Sequence, residues 1–295
     1  MMKQILYVFM VFLLCAVVPA YGQKEKNIVY RIGVGELNYT PSEDKNGSTA
    51  GKVLKDVAEV LLTGQNTKQQ PQYAEAVRAS IVNGLSQVIL FRPFDGGFSE
   101  GELADGIAAL YADGYIANIS TVTKTETTSD KNGKHKTTTT YYRALISVTV
   151  NLKDPYDGTV VNSHTFNLTD SDLSWLGSNE KAISNALEYL TYKVASYYNK
   201  LFPLYASIIE GGETKKNKQK EVYIDLGTAD GVYKGMQFDV FVTKTVAGHE
   251  AKTEIGRLKI EEVEGDDISL CKVKKGGDRI KDALDRDLPL VITSR

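Results

Sequence analysis

Residues 115–152 have the sequence YIANISTVTKTETTSDKNGKHKTTTTYYRALISVTVNL, the longest strand-like pattern in the chain. Asp130-Lys131-Asn132-Gly133 interrupts this pattern near its middle, and Asn-Gly is typical of a hairpin turn because both residues tolerate positive φ. Two arms flank the turn, from about Tyr115 to Ser129 and from about Lys134 to Leu152, and β-branched residues are frequent in both. The sequence therefore predicts a long β-hairpin.

Strand and helix patterns alternate in the segment before the hairpin. Asn27–Leu37 and Val88–Phe94 are short apolar runs that are typical of buried strands. Apolar residues at helical spacing predict three helices; Pro71 opens the second, and Ser99 with Glu102 forms a capping box for the third. The apolar positions of these helices are Val53, Val57, Val60 and Leu61, then Val77, Ile81, Leu85 and Val88, then Leu103, Ile107 and Leu110.

A further strand and the clearest helix of the chain follow the hairpin. Val160–Leu168 has the pattern of a strand, and Ser178–Phe202 carries apolar residues along one helical face. Glu180 favours the N-terminal end of this helix, and Pro203 ends it. Residues 23–205 are therefore predicted to form an α/β domain with a mixed sheet and helices.

The remainder of the chain is predicted to be all-β. Residues 206–220 are rich in glycine and lysine and are expected to be a solvated linker; an anionic partner for the lysines is the alternative. Several short strands within residues 221–295 predict a small closed barrel, so the overall class is α+β. The predicted strands are Glu221–Leu226, Gln237–Thr243, Gly256–Val263, Asp267–Val273 and Leu288–Thr293.

The first 22 residues have the pattern of an export signal. Lys3 precedes the apolar run Ile5–Val18, and Ala20-Tyr21-Gly22 supplies the small residues of a cleavage site. The run is shorter than the roughly 20 residues that span a bilayer. We expect cleavage after Gly22, which leaves 273 residues with a formal net charge of −3. This charge disfavours general nucleic-acid binding, and no other apolar run reaches membrane-spanning length.

The chain has two cysteines. Cys15 lies in the predicted signal, where Phe12-Leu13-Leu14 lacks the small residue that a lipoprotein signal needs before its cysteine. Cys271 is then alone in the mature chain, so no intrachain disulfide is expected. Because Cys271 lies in a predicted strand, we expect a small buried hydrophobe. A reactive thiol is the alternative, and it would need a cation or base beside it in a cleft.

No motif predicts a catalytic, cofactor or metal site. Gly33-Val34-Gly35 ends the first strand, but Asn38 stands where a dinucleotide fingerprint needs its third glycine. Three glycines recur within Leu226–Gly235 without a closing Gly-Lys-Ser/Thr, so they are interpreted as turn residues. The histidines lack partners at metal-ligand spacing. We therefore expect no enzyme and no cofactor. The histidines are His135, His164 and His249.

Aromatic residues are concentrated at the end of the long predicted helix. We expect them to pack this helix on its own sheet and on the second domain. A partner surface is the alternative, because tyrosine is enriched in interface cores. These residues are Tyr189, Tyr192, Tyr197, Tyr198, Phe202 and Tyr205.

The predicted α/β domain resembles the family of curli secretion proteins of the CsgG type and penicillin-binding-protein activators of the LpoB type. The resemblance is carried by RIGVGEL at 31–37, LSQVILFRPFDG at 85–96, ADGYIANIS at 112–120 and YYRALISVTVNLKDPYDGTVVNSHTF at 141–166, followed by the long helix. It implies an anticodon-binding-domain-like mixed sheet with helices.

The C-terminal domain looks like the C-terminal domain of the flagellar assembly protein FlgT. This likeness is carried by EVYIDLGTADGVYKGMQFDVFVTK at 221–244 and EIGRLKIEEVEGDDISLCKV at 254–273. It implies an SH3-like barrel over residues 221–295. Both resemblances are to bacterial envelope families without enzymatic activity.

Together the resemblances imply an exported protein of a Gram-negative bacterium, periplasmic or outer-membrane associated. The expected function is that of a binding or assembly factor that docks on an envelope complex such as a peptidoglycan synthase. The 115–152 hairpin and the C-terminal barrel are the expected docking elements. The alternative is an accessory or ring subunit of a curli-like secretion or flagellar-type assembly, which implies a homo-oligomer. Neither hairpin arm has the apolar alternation of a lipid-facing strand.

Overall fold

Two compact units make up the protein in the computed structural model: an N-terminal unit of Ile28–Phe202, and a C-terminal unit of Pro203–Arg295 together with Asn27. Asn27 belongs to the second unit because its side-chain amide makes two hydrogen bonds to the backbone of Tyr205, at 2.8 and 3.0 Å. The expected α+β class is confirmed. The structure describes residues 27–40, 67–129, 136–169 and 171–295.

A six-stranded mixed sheet forms the N-terminal unit. The strands are β1 (Tyr30–Tyr39), β2 (Thr67–Gln69), β3 (Phe91–Asp95), β4 (Ala109–Ser129), β5 (Lys136–Lys153) and β6 (Val160–Leu168). The helices described in this unit are α1 (Ala74–Ser86), α2 (Glu100–Ala104) and α3 (Asn179–Leu201). The strand order is β3-β1-β4-β5-β6, and β2 pairs with β4. β1 runs parallel to β3 and β4, whereas β4, β5 and β6 are antiparallel.

Helices α1 and α3 pack on one face of this sheet and on each other. Alternate residues of the central strands point to this face, and Ile116, Val148 and Val150 among them are fully buried. The two helices approach closely at Gly84, where a Cβ atom would lie 2.6 Å from Cβ of Val194. The helix predicted over Ser178–Phe202 is confirmed as α3.

The aromatic residues at the end of α3 divide between core and surface. Tyr198 is fully buried and contacts Phe91, with ring centroids 6.0 Å apart. Tyr197 stacks on His164 at 3.8 Å, and burial lowers the pKa of His164. Tyr192, in contrast, is 61% exposed. Packing on the sheet therefore accounts for Tyr197 and Tyr198, and Tyr192 is a surface residue.

The third predicted helix is shorter than expected. Its capping box is confirmed, because Ser99 accepts a hydrogen bond from Glu102 N and the Glu102 carboxylate accepts one from Ser99 N. The helix ends at Ala104, since Gly106 has a left-handed φ of +68° and the chain then enters β4. Leu110, expected on this helix, is a buried residue of β4. The helix predicted around Val53–Leu61 lies outside the described residues.

The predicted hairpin is confirmed as β4 and β5, which pair from Tyr111 with Lys153 out to Ser129 with Lys136. Its predicted turn at 130–133 lies outside the described residues. The first strand is longer than its predicted arm, because it begins at Ala109 rather than near Tyr115, whereas the second, Lys136–Lys153, agrees closely with the predicted arm.

A seven-stranded antiparallel sheet forms the C-terminal unit, in the order β7-β15-β12-β13-β14-β11-β8. The edge strands β7 and β8 are consecutive in sequence and separated by Ser207 alone. Because one residue joins the two edges, the sheet must curl into a nearly closed barrel. The strands are β7 (Tyr205–Ala206), β8 (Ile208–Gly211), β9 (Thr214–Lys215), β10 (Lys218–Gln219), β11 (Glu221–Ile224), β12 (Gln237–Val246), β13 (His249–Val263), β14 (Ser269–Lys275) and β15 (Leu290–Ser294).

Two parts of this unit differ from the sequence expectation. Residues 206–220, expected as a linker, contain β8 and the short β9–β10 pair, and Gln219 is buried through side-chain hydrogen bonds to Gly212 O and Glu221 O. The region expected to be all-β also contains a helix, α4 (Gly277–Asp285). This helix is only nine residues long and most of its side chains are polar; Ile280 and Ala283 are the buried ones.

Cys271 lies in β14 and is fully buried. Burial raises the pKa of its thiol to about 12. A reactive thiol requires accessible thiolate, so the buried-hydrophobe interpretation of Cys271 is confirmed. No helix among the described residues is long and apolar enough to cross a membrane.

We expect Cys271 to be protected from thiol reagents in the folded protein. The thiolate is the reacting species, and at mildly alkaline pH a group with a pKa of about 12 is almost wholly protonated. Mature protein treated with Ellman's reagent should release colour slowly without denaturant and rapidly in concentrated guanidinium. Equal rates in the two conditions would contradict the burial of Cys271.

Candidate functional site

The face of the N-terminal sheet that points away from α1 and α3 carries a ladder of hydrogen-bonded polar side chains. Residues directly opposite in neighbouring strands share a face. Across β5 and β6, Ser147 donates to Asn167 at 2.6 Å, and the hydroxyls of Thr149 and Thr165 are 2.8 Å apart. Ser163 donates to Asn151 at 2.6 Å. We call these six residues the polar ladder.

A cleft of about 470 Å³ opens at one end of the polar ladder, where β1, β4 and β5 lie side by side. Acidic, amide and aromatic side chains line it, and together they supply both hydrogen-bond donors and acceptors. We call it the polar cleft. Its side chains are those of Glu36, Asn38, Tyr111, Asp113, Tyr115 and Asn151.

A β-bulge in β1 shapes one wall of the polar cleft. The pairing of β1 with β4 shifts register between Val34 and Leu37, which bends the strand and changes the direction of the residues that follow. Arg78 of α1 supports the bulge by donating from Nε to Gly35 O at 3.0 Å and from Nη2 to Val34 O at 3.1 Å. The same guanidinium pairs with Asp95. A helix side chain therefore fixes the backbone that presents Glu36 and Asn38.

Tyr111 lies directly over the two glycines of Gly33-Val34-Gly35. A Cβ atom at Gly35 would lie 2.1 Å from the Tyr111 hydroxyl oxygen, and one at Gly33 would lie 3.2 Å from the Tyr111 ring. Gly35 therefore has no room for a side chain while Tyr111 stays in place, and at Gly33 a Cβ atom would also lie 2.8 Å from the backbone oxygen of Gly96. The glycine spacing that invites a nucleotide-binding interpretation therefore serves to seat an aromatic ring beside the polar cleft.

The polar groups in the cleft are held by further contacts. Lys153 pairs with Asp113 at 2.5 Å, and Asn151 donates to the other carboxylate oxygen of Asp113 at 3.2 Å. The amide oxygen of Asn151 is in turn the acceptor for Ser163. Asp113 and Asn151 are thus fixed in orientation by the sheet, whereas Glu36 is exposed.

The outer part of the hairpin projects beyond the other strands of the sheet. β2 ends its pairing with β4 at Val122, and β6 ends its pairing with β5 at Ile146. Residues 123–129 and 136–142 therefore form a two-stranded ribbon, which we call the threonine ribbon. Among the described residues, the bridge between Tyr142 and Leu176 is its single further strand contact. Its threonines are Thr123, Thr125, Thr127, Thr128, Thr137, Thr138, Thr139 and Thr140.

Trp175 anchors the base of the threonine ribbon. The guanidinium carbon of Arg143 lies 4.2 Å from the Trp175 ring centroid, and Nζ of Lys124 lies 5.2 Å from it. The backbones of Tyr142 and Leu176 exchange hydrogen bonds of 2.7 and 2.8 Å beside this stack. The base of the ribbon is therefore rigid, and its outer threonines are exposed.

Sequence reasoning named no residue of the polar cleft as a site residue. It singled out Gly33 and Gly35, which border the cleft, and it proposed the hairpin that supplies Tyr115 and Asn151. In the described parts of the chain, no group of three or more histidine, cysteine, aspartate or glutamate side chains is placed to hold a metal ion.

The chain is similar to known proteins only in structure, and the similarity is distant. No protein-family profile and no curated protein matches the chain. A PelC dodecamer from Paraburkholderia phytofirmans is similar at 14% identity over 60% of this chain and 94% of that one, with a TM-score of 0.30. A single-substitution variant of the same dodecamer aligns at 16% identity over 60% and 93%, with a TM-score of 0.32.

A neuraminyllactose-binding haemagglutinin homologue from Helicobacter pylori is also similar, at 12% identity over 62% of this chain and 91% of that one, with a TM-score of 0.27. All of these TM-scores are too low to support an inference about function.

Proposed function

We propose that this protein is a non-enzymatic, exported envelope protein that binds or assembles a cell-envelope complex, such as one built on a peptidoglycan synthase. The threonine ribbon is the docking element. The observation that carries the proposal is that, among the described residues, the strands of this ribbon pair with no other strand beyond the single bridge from Tyr142 to Leu176.

An unpaired strand edge offers a row of backbone N–H and C=O groups to another chain. Addition of a strand to such an edge is a common way to bind an extended peptide, because the main-chain hydrogen bonds supply affinity. Threonine favours the extended backbone and keeps both faces of the ribbon polar. The ribbon can therefore stay in water until a partner strand pairs with it.

The sequence resemblances support the cellular setting of this proposal. Likeness to curli secretion proteins, to penicillin-binding-protein activators and to the FlgT C-terminal domain points to the periplasm or outer membrane of a Gram-negative bacterium. The same likenesses are the basis for proposing an anticodon-binding-domain-like N-terminal fold and an SH3-like barrel over 221–295.

An accessory or ring subunit of a curli-like secretion or flagellar-type assembly is the second candidate function. The ribbon favours it because it has two edges rather than one. A copy of the chain on each side would extend the same sheet around a ring, since head-to-tail contacts that close generate rings.

Site-specific photo-crosslinking in the native cell tests both candidates. A photoreactive residue replaces Thr125 or Thr139 in the ribbon, and Glu188, exposed on α3, is the matched control. We expect crosslinked partners from the ribbon positions and none of these from Glu188. Recovery of a peptidoglycan synthase would support the first candidate, and recovery of the chain itself or of secretion components the second. The same partners from all positions would overturn the docking role of the ribbon.

A further inference from the structure

We propose that the polar cleft binds an uncharged segment of a saccharide chain. This binding site is separate from the threonine ribbon, so the inference stands or falls independently of the proposed function.

The chemistry of the lining matches a ligand with many hydroxyl groups. Each hydroxyl both donates and accepts a hydrogen bond, so a site for it needs both kinds of group close together. Asn38 and Asn151 supply amides that do both, Glu36 supplies a strong acceptor, and the phenol of Tyr111 adds a hydroxyl. An apolar ligand would leave these groups unpaired, which is costly.

Tyr115 supplies the apolar contact that a sugar ring needs. Its side chain is 41% exposed and lies in the wall of the cleft. Tyrosine presents an apolar ring face together with a polar hydroxyl. The C–H face of a pyranose can pack on this ring while its hydroxyls reach the amides and the carboxylate.

The cleft is formed before any ligand binds. Its residues lie on strands. Lys153 holds the Asp113 carboxylate, and Ser163 donates a hydrogen bond to Asn151. The Tyr111 ring packs against Gly35, which has no side chain to displace it. Groups that are already fixed lose little freedom on binding, which favours affinity.

The charge of the cleft indicates an uncharged ligand. Lys153 pairs with Asp113, and Glu36 then contributes an additional negative charge at the opening. Sulfated, phosphorylated or sialylated sugars would be repelled by this carboxylate. Beyond Asn151, the polar ladder continues along β5 to Thr149 and Ser147, which are buried and hydrogen-bonded to Thr165 and Asn167, so the site ends at Asn151.

Saturation-transfer NMR on the full mature chain tests the proposal with defined probes. Chitotetraose, cellotetraose and maltotetraose are the uncharged probes, and sialyllactose is the charged one. We expect saturation of the ring C–H protons of at least one uncharged tetrasaccharide and none of sialyllactose. Absence of transfer to all three uncharged probes, or stronger transfer to sialyllactose, would overturn the proposal.

Variants of two cleft residues test whether the saccharide binds in the cleft. Tyr115→Ala and Asn151→Ala should each weaken binding by about tenfold, the loss expected when a stacking or hydrogen-bond contact is removed. Tyr192→Ala is the control, because Tyr192 is also an exposed tyrosine but lies on α3, on the other face of the sheet. Thermal unfolding followed by Trp175 fluorescence confirms that each variant is folded. Equal weakening by Tyr192→Ala and Tyr115→Ala would overturn the assignment to the cleft.

Discussion

Gly84→Leu is expected to lower the free energy of unfolding of the N-terminal unit by about 3 kcal/mol. A Cβ atom at this position would lie 2.6 Å from Cβ of Val194 and 2.8 Å from the backbone oxygen of Thr191. Helices α1 and α3 would have to separate to accept any side chain. The gain in helix propensity of about 1 kcal/mol over glycine is smaller than this cost.

Trp175 provides the measurement, because it is the single tryptophan of the chain and lies in the N-terminal unit. Its fluorescence against denaturant concentration gives the unfolding free energy of that unit. Gly101→Leu is the matched control, since Gly101 lies in α2 with open space around its Cβ position. We expect the control to change stability by less than about 1 kcal/mol. Equal losses in both variants would contradict the close helix contact.

Gly227→Ala is expected to destabilise the C-terminal unit by about 3 kcal/mol. The added Cβ atom would lie 2.2 Å from the backbone carbon of Asp266 and 2.3 Å from Asp267 N. These neighbours are backbone atoms, so no side-chain rotation can relieve the overlap. They also belong to a turn in which Thr228 N donates to Gly265 O at 3.0 Å, and this bond would be lost if the segments moved apart.

The rate of Cys271 labelling reports on this unit, because the thiol is buried in β14 until the sheet opens. Gly227→Ala should accelerate labelling under native conditions, and Trp175 fluorescence should be unchanged. Gly265→Ala is the control from the same turn, since its Cβ would approach only a side-chain atom, Cγ2 of Ile268, at 3.1 Å. Slow labelling of Gly227→Ala would show that the two segments tolerate separation.

Regular patterns in the sequence predicted the long elements correctly. The hairpin of β4 and β5, the helix α3 and the five strands β11–β15 all have the residue periodicity or the turn residues that these elements require. The helix α4, between β14 and β15, was not predicted. The capping box at Ser99 and the burial of Cys271 were also predictable, because each depends on a few neighbouring residues.

Features that depend on long-range contacts were not predictable. The strand β8, within the expected linker 206–220, forms because it pairs with β11 at one edge of the C-terminal sheet. The polar cleft depends on the bulge in β1 and on Arg78, which lies more than 40 residues away in sequence. No local sequence pattern indicates that the missing side chain of Gly35 leaves space for the Tyr111 ring.

The position of β15 has a consequence for protein synthesis. β15 lies between β7 and β12 in the C-terminal sheet, so residues 290–294 fill an internal place rather than an edge. Both partners of this strand precede it in the chain, so the barrel of residues 203–289 cannot close until residues 290–294 have been added. A chain cut short before residue 290 would expose two strand edges to proteases and to other chains.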